Sequence, residues 1–334
     1  MVATLKDVAI RAGVSTSAVS RTFTDGASVS EKMRRKVEKA AADLGYRPNF
    51  LARSLTTRRT KLIGLVSNNF HNPIFLEVFD LFTRRLQDVG LRPLLVNLSK
   101  ETDPEHSLQM LHQYSVDGVI VASSTLPPAF SKAFRDKKMP VVNTFGRYSS
   151  SPEVHVVGID NVEAGRMAAQ SLLARGYKNV AFLGGPESAT STQDRLKGFR
   201  EELANHAGIQ TSHSFAEEYS FQAGHKEMLR LAQGNLAEAY FCGDDVLSIG
   251  VLSAIKDEGL RVPEDIGVIG LNDMEMSSWE SIALTTIHQP IKHIINSSVE
   301  LMAAMLDEPD RYPEARLFPC RIIERGTLRP IPDT

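Results

Sequence analysis

The chain has 334 residues, 42% hydrophobic and 23% charged, with a net charge of −2 and two distant cysteines, Cys242 and Cys320. The length exceeds one typical core and predicts two or three domains, and the composition is that of an ordinary globular protein. The cysteines exclude a disulfide scaffold or a cysteine metal cluster and fit a reducing cytoplasm; no apolar run reaches membrane-spanning length, and Lys6, Asp7 and Arg11 interrupt any secretory signal core, so a cytoplasmic protein is expected.

The net charge hides an asymmetry. Residues 1–60 carry twelve Lys and Arg against five Asp and Glu, a net of +7, whereas the remainder carries 26 against 35, a net of −9. A basic head on an acidic body is the charge pattern of a polyanion-binding module attached to something else. Within the head, Thr4 is a good N-cap, Asp7 favours the positive helix end, and Leu5, Val8, Ala9 and Ala12 form one apolar stripe. Gly13 suits the left-handed residue that ends this helix, and Val14 fills the angle before Ser15 caps the next one. Ala18 and Val19 then face inward, which turns Thr16, Ser17 and Arg21 outward. Short polar side chains at the start of a second helix can approach base edges, and an Arg one turn on can reach guanine or phosphate. A third helix is predicted from Ser30 over Met33, Val37, Ala41 and Leu44, stopped by Gly45 and Pro48.

The runs Leu5-Lys6-Asp7-Val8-Ala9, Ala12-Gly13-Val14-Ser15, Val19-Ser20-Arg21 and Leu44-Gly45-Tyr46-Arg47-Pro48-Asn49 closely resemble the LacI/GalR (lactose-repressor) family of bacterial transcription regulators, in residue type and in spacing. The resemblance implies DNA contacts from Thr4, Thr16, Ser17 and Arg21. It also implies that Asn49–Leu55 folds as a hinge helix only on operator DNA, with Asn49, Ala52 and Arg53 at the DNA and Leu55 as a wedge in the minor groove. A helix this short is marginal alone in water, and wedging exchanges stacking energy for a bent, better-wrapped duplex. Thr56-Thr57-Arg58-Arg59-Thr60 reads as linker.

From Leu62 onward, strand-like runs alternate with amphipathic stretches. Strands are predicted at Leu62–Ser67, Pro93–Asn97, Gly118–Ala122, Pro140–Asn143, Asn179–Leu183, Ala239–Phe241, Ile266–Leu271 and Leu284–Ile287. Helices are predicted between them, among them Phe75–Val89, Val162–Arg175, Arg195–Asn205 and Asp245–Glu258. This alternation indicates doubly wound parallel sheets, and two such sheets facing each other place a ligand in the crevice at their carboxyl ends. The expected fold is an all-α helix-turn-helix head joined to an α/β body of two parallel-sheet lobes. Bodies in the resembled family are built like periplasmic sugar-binding proteins, and Gly64, Asn72-Pro73-Ile74-Phe75, Val116-Asp117-Gly118-Val119, Asp160-Asn161, Arg195, Asp244-Asp245 and Gly270-Leu271-Asn272-Asp273 carry the resemblance through the body. The expected divisions are 1–48 for the head, 49–60 for the hinge and linker, and 61–334 for the body. Within the body, the N-lobe takes about 61–160 and 291–320, and the C-lobe about 161–290 and 321–334.

Candidate effector residues follow the strand ends: Asn68 and Phe70 after the first, Asn143 and Arg147 at the fourth, then Thr190 and Arg195, Asp244, Asn272, Trp279 and Gln289. In the resembled family the Arg195 position binds sugar oxygens with its planar fork of donors. Asp244 stands where Asn is often found and Asn272 where Asp is often found, so the carboxylate is expected to have moved across the cleft. Asp244 also reads as a helix N-cap, and Asn272 as a turn residue. Trp279 reads as a core residue or as a stacking platform for a sugar face. His288 has no partner at ligand spacing, so no metal is expected, and no cofactor. No Gly-x-Gly-x-x-Gly, phosphate loop or Gly-x-Ser-x-Gly elbow is present, which argues against an enzyme; the basic head argues against a stand-alone sugar-binding protein. The expected partners are double-stranded operator DNA with a pseudo-palindromic site, a small effector (sugar or sugar acid) and a second copy of the chain, with no membrane. The chain ends soon after the last strand without a leucine heptad tail, so a tail-mediated tetramer is not expected.

Overall fold

The structure is a computed structural model that describes residues 3–24, 27–47, 59–98, 104–126 and 128–332. The chain divides into two compact units, Met1–Thr60 and Lys61–Thr334.

The first unit holds α1 (Leu5–Ala12), α2 (Thr16–Thr22) and α3 (Glu31–Asp43) around Val8, Ala9, Ala12, Val19, Val37, Ala40 and Ala41. Thr4 and Asp7 form a full capping box at the start of α1. Gly13 ends it at φ +56°, a left-handed turn that lets the Val14 amide bond back to the Ala9 carbonyl at 3.0 Å. Ser15 and Ser30 cap α2 and α3 through the amides of Ala18 and Met33. The caps expected at Thr4 and Ser15 are present, and Ser30, expected as the start of the third helix, is its N-cap.

The second unit contains two sheets. The first combines β1 (Leu62–Ser67), β2 (Arg92–Asn97), β3 (Gly118–Ala122), β4 (Val141–Thr144), β5 (His155–Gly158) and β11 (Ala315–Leu317), in the order β11-β5-β4-β3-β1-β2 with every pair parallel. Its helices are α4 (Ile74–Asp88), α5 (Pro104–Gln113), α6 (Pro128–Asp136) and α11 (Ile291–Asp307). The second sheet combines β6 (Asn179–Gly184), β7 (Gln210–Phe215), β8 (Ala239–Cys242), β9 (Gly267–Asn272), β10 (Thr285–His288) and β12 (Arg321–Ile323), in the order β12-β10-β9-β8-β6-β7. Only its edge strand β12 runs antiparallel, against β10. Its helices are α7 (Asn161–Leu173), α8 (Thr190–Leu203), α9 (Phe221–Ala232) and α10 (Asp245–Asp257). The chain passes between the lobes at Ile159–Asp160, at Gln289–Pro290 and at Phe318–Cys320.

Each interior strand is an apolar run because both of its faces are covered by helices. That is why β1, β3, β6 and β9 were legible as strands. The sequence reading omitted β5, β7, β11 and β12. The two three-residue edges are too short to carry a periodicity, and β7, Gln-Thr-Ser-His-Ser-Phe, is a polar and largely exposed edge. One helix start was also misplaced. α8 begins at Thr190 rather than Arg195, so Arg195 lies in its second turn; the N-cap position is Ala189, which offers no side-chain cap to signal the start.

Two glycines set the distance between α7 and α8. A Cβ at Gly165 would lie 2.0 Å from the Arg195 carbonyl oxygen, and one at Gly198 would lie 1.8 Å from the Val162 carbonyl oxygen. The helices thus pack backbone against backbone, and this contact fixes where Arg195 stands.

Candidate functional site

In the first unit, Thr16, Ser17 and Arg21 are all exposed on α2. The Ser15 hydroxyl caps α2 and lies 2.9 Å from the Ser17 hydroxyl, and Arg21 Nε donates to the Ser17 carbonyl at 3.4 Å. The Arg21 guanidinium therefore rests along the same face as the two short polar side chains. Thr4 is engaged in α1 itself: its hydroxyl accepts from the Asp7 amide and donates to Asp7 Oδ2 at 2.7 Å, and that donation, with the one from the Thr4 amide at 2.9 Å, holds the Asp7 carboxyl below its ordinary range. Asn49, Ala52, Arg53 and Leu55 lie outside the described residues.

In the second unit, a cavity lies at the carboxyl ends of both parallel sheets. Phe75, Val78, Phe145 and Ile159 form an apolar wall on it, and Asn161, Arg195, Asp244, Asn272 and Gln289 a polar one. Asp244 is the centre of the polar wall. Its Oδ1 caps α10 by accepting from the Val246 amide at 2.9 Å, and its Oδ2 accepts from Asn72 Nδ2 and from Asn272 Nδ2, each at 2.9 Å. Asn72 belongs to the segment after β1, so this carboxylate joins the two lobes. Gln289 Nε2 in turn donates to Asn272 Oδ1, which extends the chain of bonds to a crossover segment. Because these groups bond one another, the enclosed space is small, about 30 Å³. Arg195 Nε donates to Asn161 Oδ1 at 2.8 Å and its Nη1 to the Gly243 carbonyl, so the guanidinium is fixed by two neutral acceptors.

Burial pushes the Asp244 carboxyl up to about 6, against the Val246 amide, Arg195 and Asn72, which favour the charged form; Asp245 adds to the rise. Asp245 is also shifted upward by burial. It accepts from Thr286 Oγ1, from the Met274 amide at 2.8 Å and from Ser277 Oγ at 2.8 Å, which ties the turn after β9 to β10. That turn is strained. Asn272 has φ +131° and Asp273 φ +60°, conformations that non-glycine residues adopt at a cost of order 1–3 kcal/mol each. Asp273 is held there by Arg325 at 2.6 Å and His288 at 3.0 Å. His288 is thus a carboxylate partner.

Four of the sequence candidates, Arg195, Asp244, Asn272 and Gln289, line the cavity; six do not. Asn68 accepts from the hydroxyls of Ser123 at 2.8 Å and Thr125 at 3.0 Å. Phe70 packs on Phe79 with ring centroids 4.6 Å apart. Asn143 is buried beside Gly146, its Oδ1 without a partner. Arg147 forms an ion pair with Asp194, and Thr190 Oγ1 donates to the Ser124 carbonyl at 3.4 Å. Trp279, 50% exposed, follows the short 3-10 turn Glu275–Ser278, and is neither core nor cavity wall. Asp244 and Asn272 sit side by side on one lobe, so the carboxylate has moved by one hydrogen bond and not across the cleft. Among the residues the sequence reading missed, Asn72 and Asn161 lie within runs already singled out, while Tyr219 follows β7, one of the four strands it omitted. Tyr219 bonds Thr192 Oγ1 at 2.7 Å, and its ring lies where a Cβ on Gly185 would be, 2.4 Å away.

Family comparisons agree with both units. Residues 4–49 match the model of bacterial regulatory proteins of the lacI family, and residues 169–328 match the periplasmic binding protein-like domain. The HTH-type transcriptional repressor CytR of Escherichia coli (strain K12) is 30% identical over 338 residues, covering 99% of this chain and 97% of that protein. The chain belongs to the LacI family of bacterial regulatory proteins. A second relative, the HTH-type transcriptional repressor PurR of Pectobacterium carotovorum subsp. carotovorum (strain PC1), is 33% identical and covers 90% of this LacI-family chain and 89% of its own. The crystal structure of the Lac repressor dimer bound to operator and the anti-inducer ONPF superposes with a TM-score of 0.87 at 27% identity, covering 98% of the regulator and all of that chain. The cellobiose complex of the transcriptional regulator CelR does so at 0.72 and 27%, covering 97% and 99%. This LacI-family regulator therefore has a helix-turn-helix head and two parallel-sheet lobes of periplasmic-binding-protein type, and acts in DNA-binding transcription control. Among its described residues no helix is long and apolar enough to cross a membrane, and no cluster of His, Cys, Asp or Glu is arranged to hold a metal ion.

Proposed function

We propose that this regulator is a cytoplasmic, ligand-responsive repressor that binds a pseudo-palindromic operator as a homodimer and controls a carbohydrate or sugar-acid utilisation operon. The observation that carries the reading is the cavity at the strand ends, with Arg195, Asp244, Asn272 and Gln289 on its polar wall and the Asn72–Asp244 bond joining the lobes. Once the lobes part and the Asn72–Asp244 bond is released, a small effector with several hydroxyls finds both donors and acceptors on this wall, with Phe75 and Phe145 to cover its apolar face. An effector that binds one arrangement of the lobes better than another shifts the population of that arrangement, and operator affinity follows. The relatives named as repressors, and the Lac repressor dimer seen on operator, support the assignment of DNA and of a second copy as partners. The proposed divisions remain 1–48 for operator reading, 49–60 for the hinge and linker, and 61–334 for effector binding and dimerisation.

On the DNA, Thr16 and Ser17 are assigned to base edges and Arg21 to guanine or phosphate. Thr4, at the cap of α1, is assigned to the DNA as well, and Asn49, Ala52, Arg53 and Leu55 are assigned to it through the hinge. The protein is proposed to bind its effector without turnover, which incubation with sugars and product analysis checks directly. Footprinting with purified protein tests the operator model: two protected half-sites about one helical turn apart are expected, and protection without any palindrome overturns the dimer. A thermal-shift screen over sugars and sugar acids identifies the effector class, because a ligand of the native state raises apparent stability.

A further inference from the structure

Arg147 was expected to bind effector, and the structure gives its donors to other groups. Nε donates to Asp194 Oδ2 at 2.8 Å and Nη2 to Asp194 Oδ1 at 2.6 Å, a bidentate pair. Nη2 also reaches the Thr190 carbonyl at 3.4 Å and Gln193 Oε1 at 3.3 Å. Arg147 stands in the loop after β4, in the lobe of the first sheet; Asp194, Thr190 and Gln193 stand on α8, in the other lobe. The Asp194 side chain is only 15% exposed, so the pair is sheltered more than an ordinary surface salt bridge. Asp194 immediately precedes Arg195, whose guanidinium forms part of the polar wall. Nearby, Thr190 Oγ1 donates across the same gap to the Ser124 carbonyl.

We propose that Arg147 and Asp194 form a latch at the rim of the cleft, a positioning pair that holds the lobes together and sets how readily an effector enters and leaves. The pair acts through the lobes and touches no ligand. Opening about the three crossovers separates the loop after β4 from α8, so both hydrogen bonds of the fork break together, and closing remakes both. A fork of this geometry has one arrangement in which both bonds are good, which gives the closed state a defined register. The proposal rests on the reading of the cavity as the effector site. Its test uses no ligand and no DNA, so its failure leaves that reading standing.

The experiment is amide hydrogen exchange on the full-length protein, comparing wild type, Arg147→Gln, Asp194→Asn and the exchanged pair Arg147→Asp/Asp194→Arg. In each single variant, amides facing the cleft in both lobes, near Asn72–Phe75 and Val246–Ser248, should exchange about three to ten times faster, in line with the modest worth of a partly sheltered ion pair. Amides of the strand interiors β3 and β8 should keep their protection, which shows that each lobe is still folded. The exchanged pair should return the cleft amides toward wild-type rates, and high salt should raise exchange in the wild type and leave both single variants nearly unchanged. Unchanged cleft exchange in the single variants overturns the latch. So does faster exchange that the exchanged pair fails to restore while the strand interiors stay protected, because that result assigns the residues to local packing.

Discussion

Asn72 Nδ2 lies 2.9 Å from Asp244 Oδ2, a hydrogen bond between a loop of one lobe and the helix cap of the other. Asn72 also caps its own side of the cleft, its Oδ1 accepting from the Ile74 amide at 3.2 Å. One side chain therefore fixes the start of α4 and joins the lobes. Replacing it with Ala removes a donor from a buried carboxylate and an acceptor from the first amide of α4, each worth about 1 kcal/mol or more. Asn72→Ala is expected to lower the thermal midpoint by several degrees and to enlarge the radius of gyration in solution scattering. An unchanged radius would show that the bond does not hold the lobes together.

The raised Asp244 carboxyl gives the protein a stability that falls as pH rises. The folded protein holds the proton more tightly than the unfolded chain, whose carboxyl keeps its ordinary value near 4. The associated stability is present in full below that value and is lost as pH rises through about 6. A shift of roughly two units corresponds to about 3 kcal/mol between those limits. Asp244→Asn keeps a capping residue at this position and removes the titration. Denaturant unfolding of both proteins from about pH 4 to pH 7 should show the wild type losing stability relative to the variant, which still retains the Asp245 titration. Parallel pH profiles would rule out the shift at Asp244.

How much of this is legible in the sequence follows from where the signal lies. The caps Thr4 and Ser15 and the turn at Gly13 are local signals, so the three helices of the head are legible in the sequence, the third displaced by one residue at each end. The interior strands were legible because burial on both faces writes an apolar run. The cavity was only partly legible: Arg195, Asp244, Asn272 and Gln289 follow strand ends that could be seen, whereas Tyr219 follows a strand too polar to be seen. The bonds Asn72–Asp244 and Arg147–Asp194 join residues 172 and 47 positions apart, and no local pattern encodes such pairs.

The approach of α7 and α8 makes a sharper prediction about Arg195. Gly165→Ala places a methyl group 2.0 Å from the Arg195 carbonyl oxygen, which is backbone and cannot rotate away. The helices must separate, at a cost of about 1–3 kcal/mol or more. The variant is expected to melt several degrees lower and, where it remains folded, to bind the effector identified by thermal shift at least tenfold more weakly. Wild-type affinity in a folded Gly165→Ala protein would show that Arg195 does not contact the effector.

The head makes its own prediction, separable by salt. Thr16 and Ser17 are short and exposed at the start of α2, so they are assigned to base edges, while Arg21, one turn on, has the reach for either guanine or phosphate. Thr16→Ala and Ser17→Ala should weaken binding to the operator by about 1–3 kcal/mol and leave binding to random duplex nearly unchanged. For Arg21→Ala the slope of log affinity against log salt decides the contact. A phosphate contact lowers affinity for all sequences and reduces the slope by about one; a guanine contact relaxes preference at a single base pair of each half-site. Fluorescence anisotropy with operator and scrambled duplexes over a salt series measures both quantities. Arg21→Ala binding with unaltered slope and preference would remove Arg21 from the interface and require a different face of α2 to meet the groove.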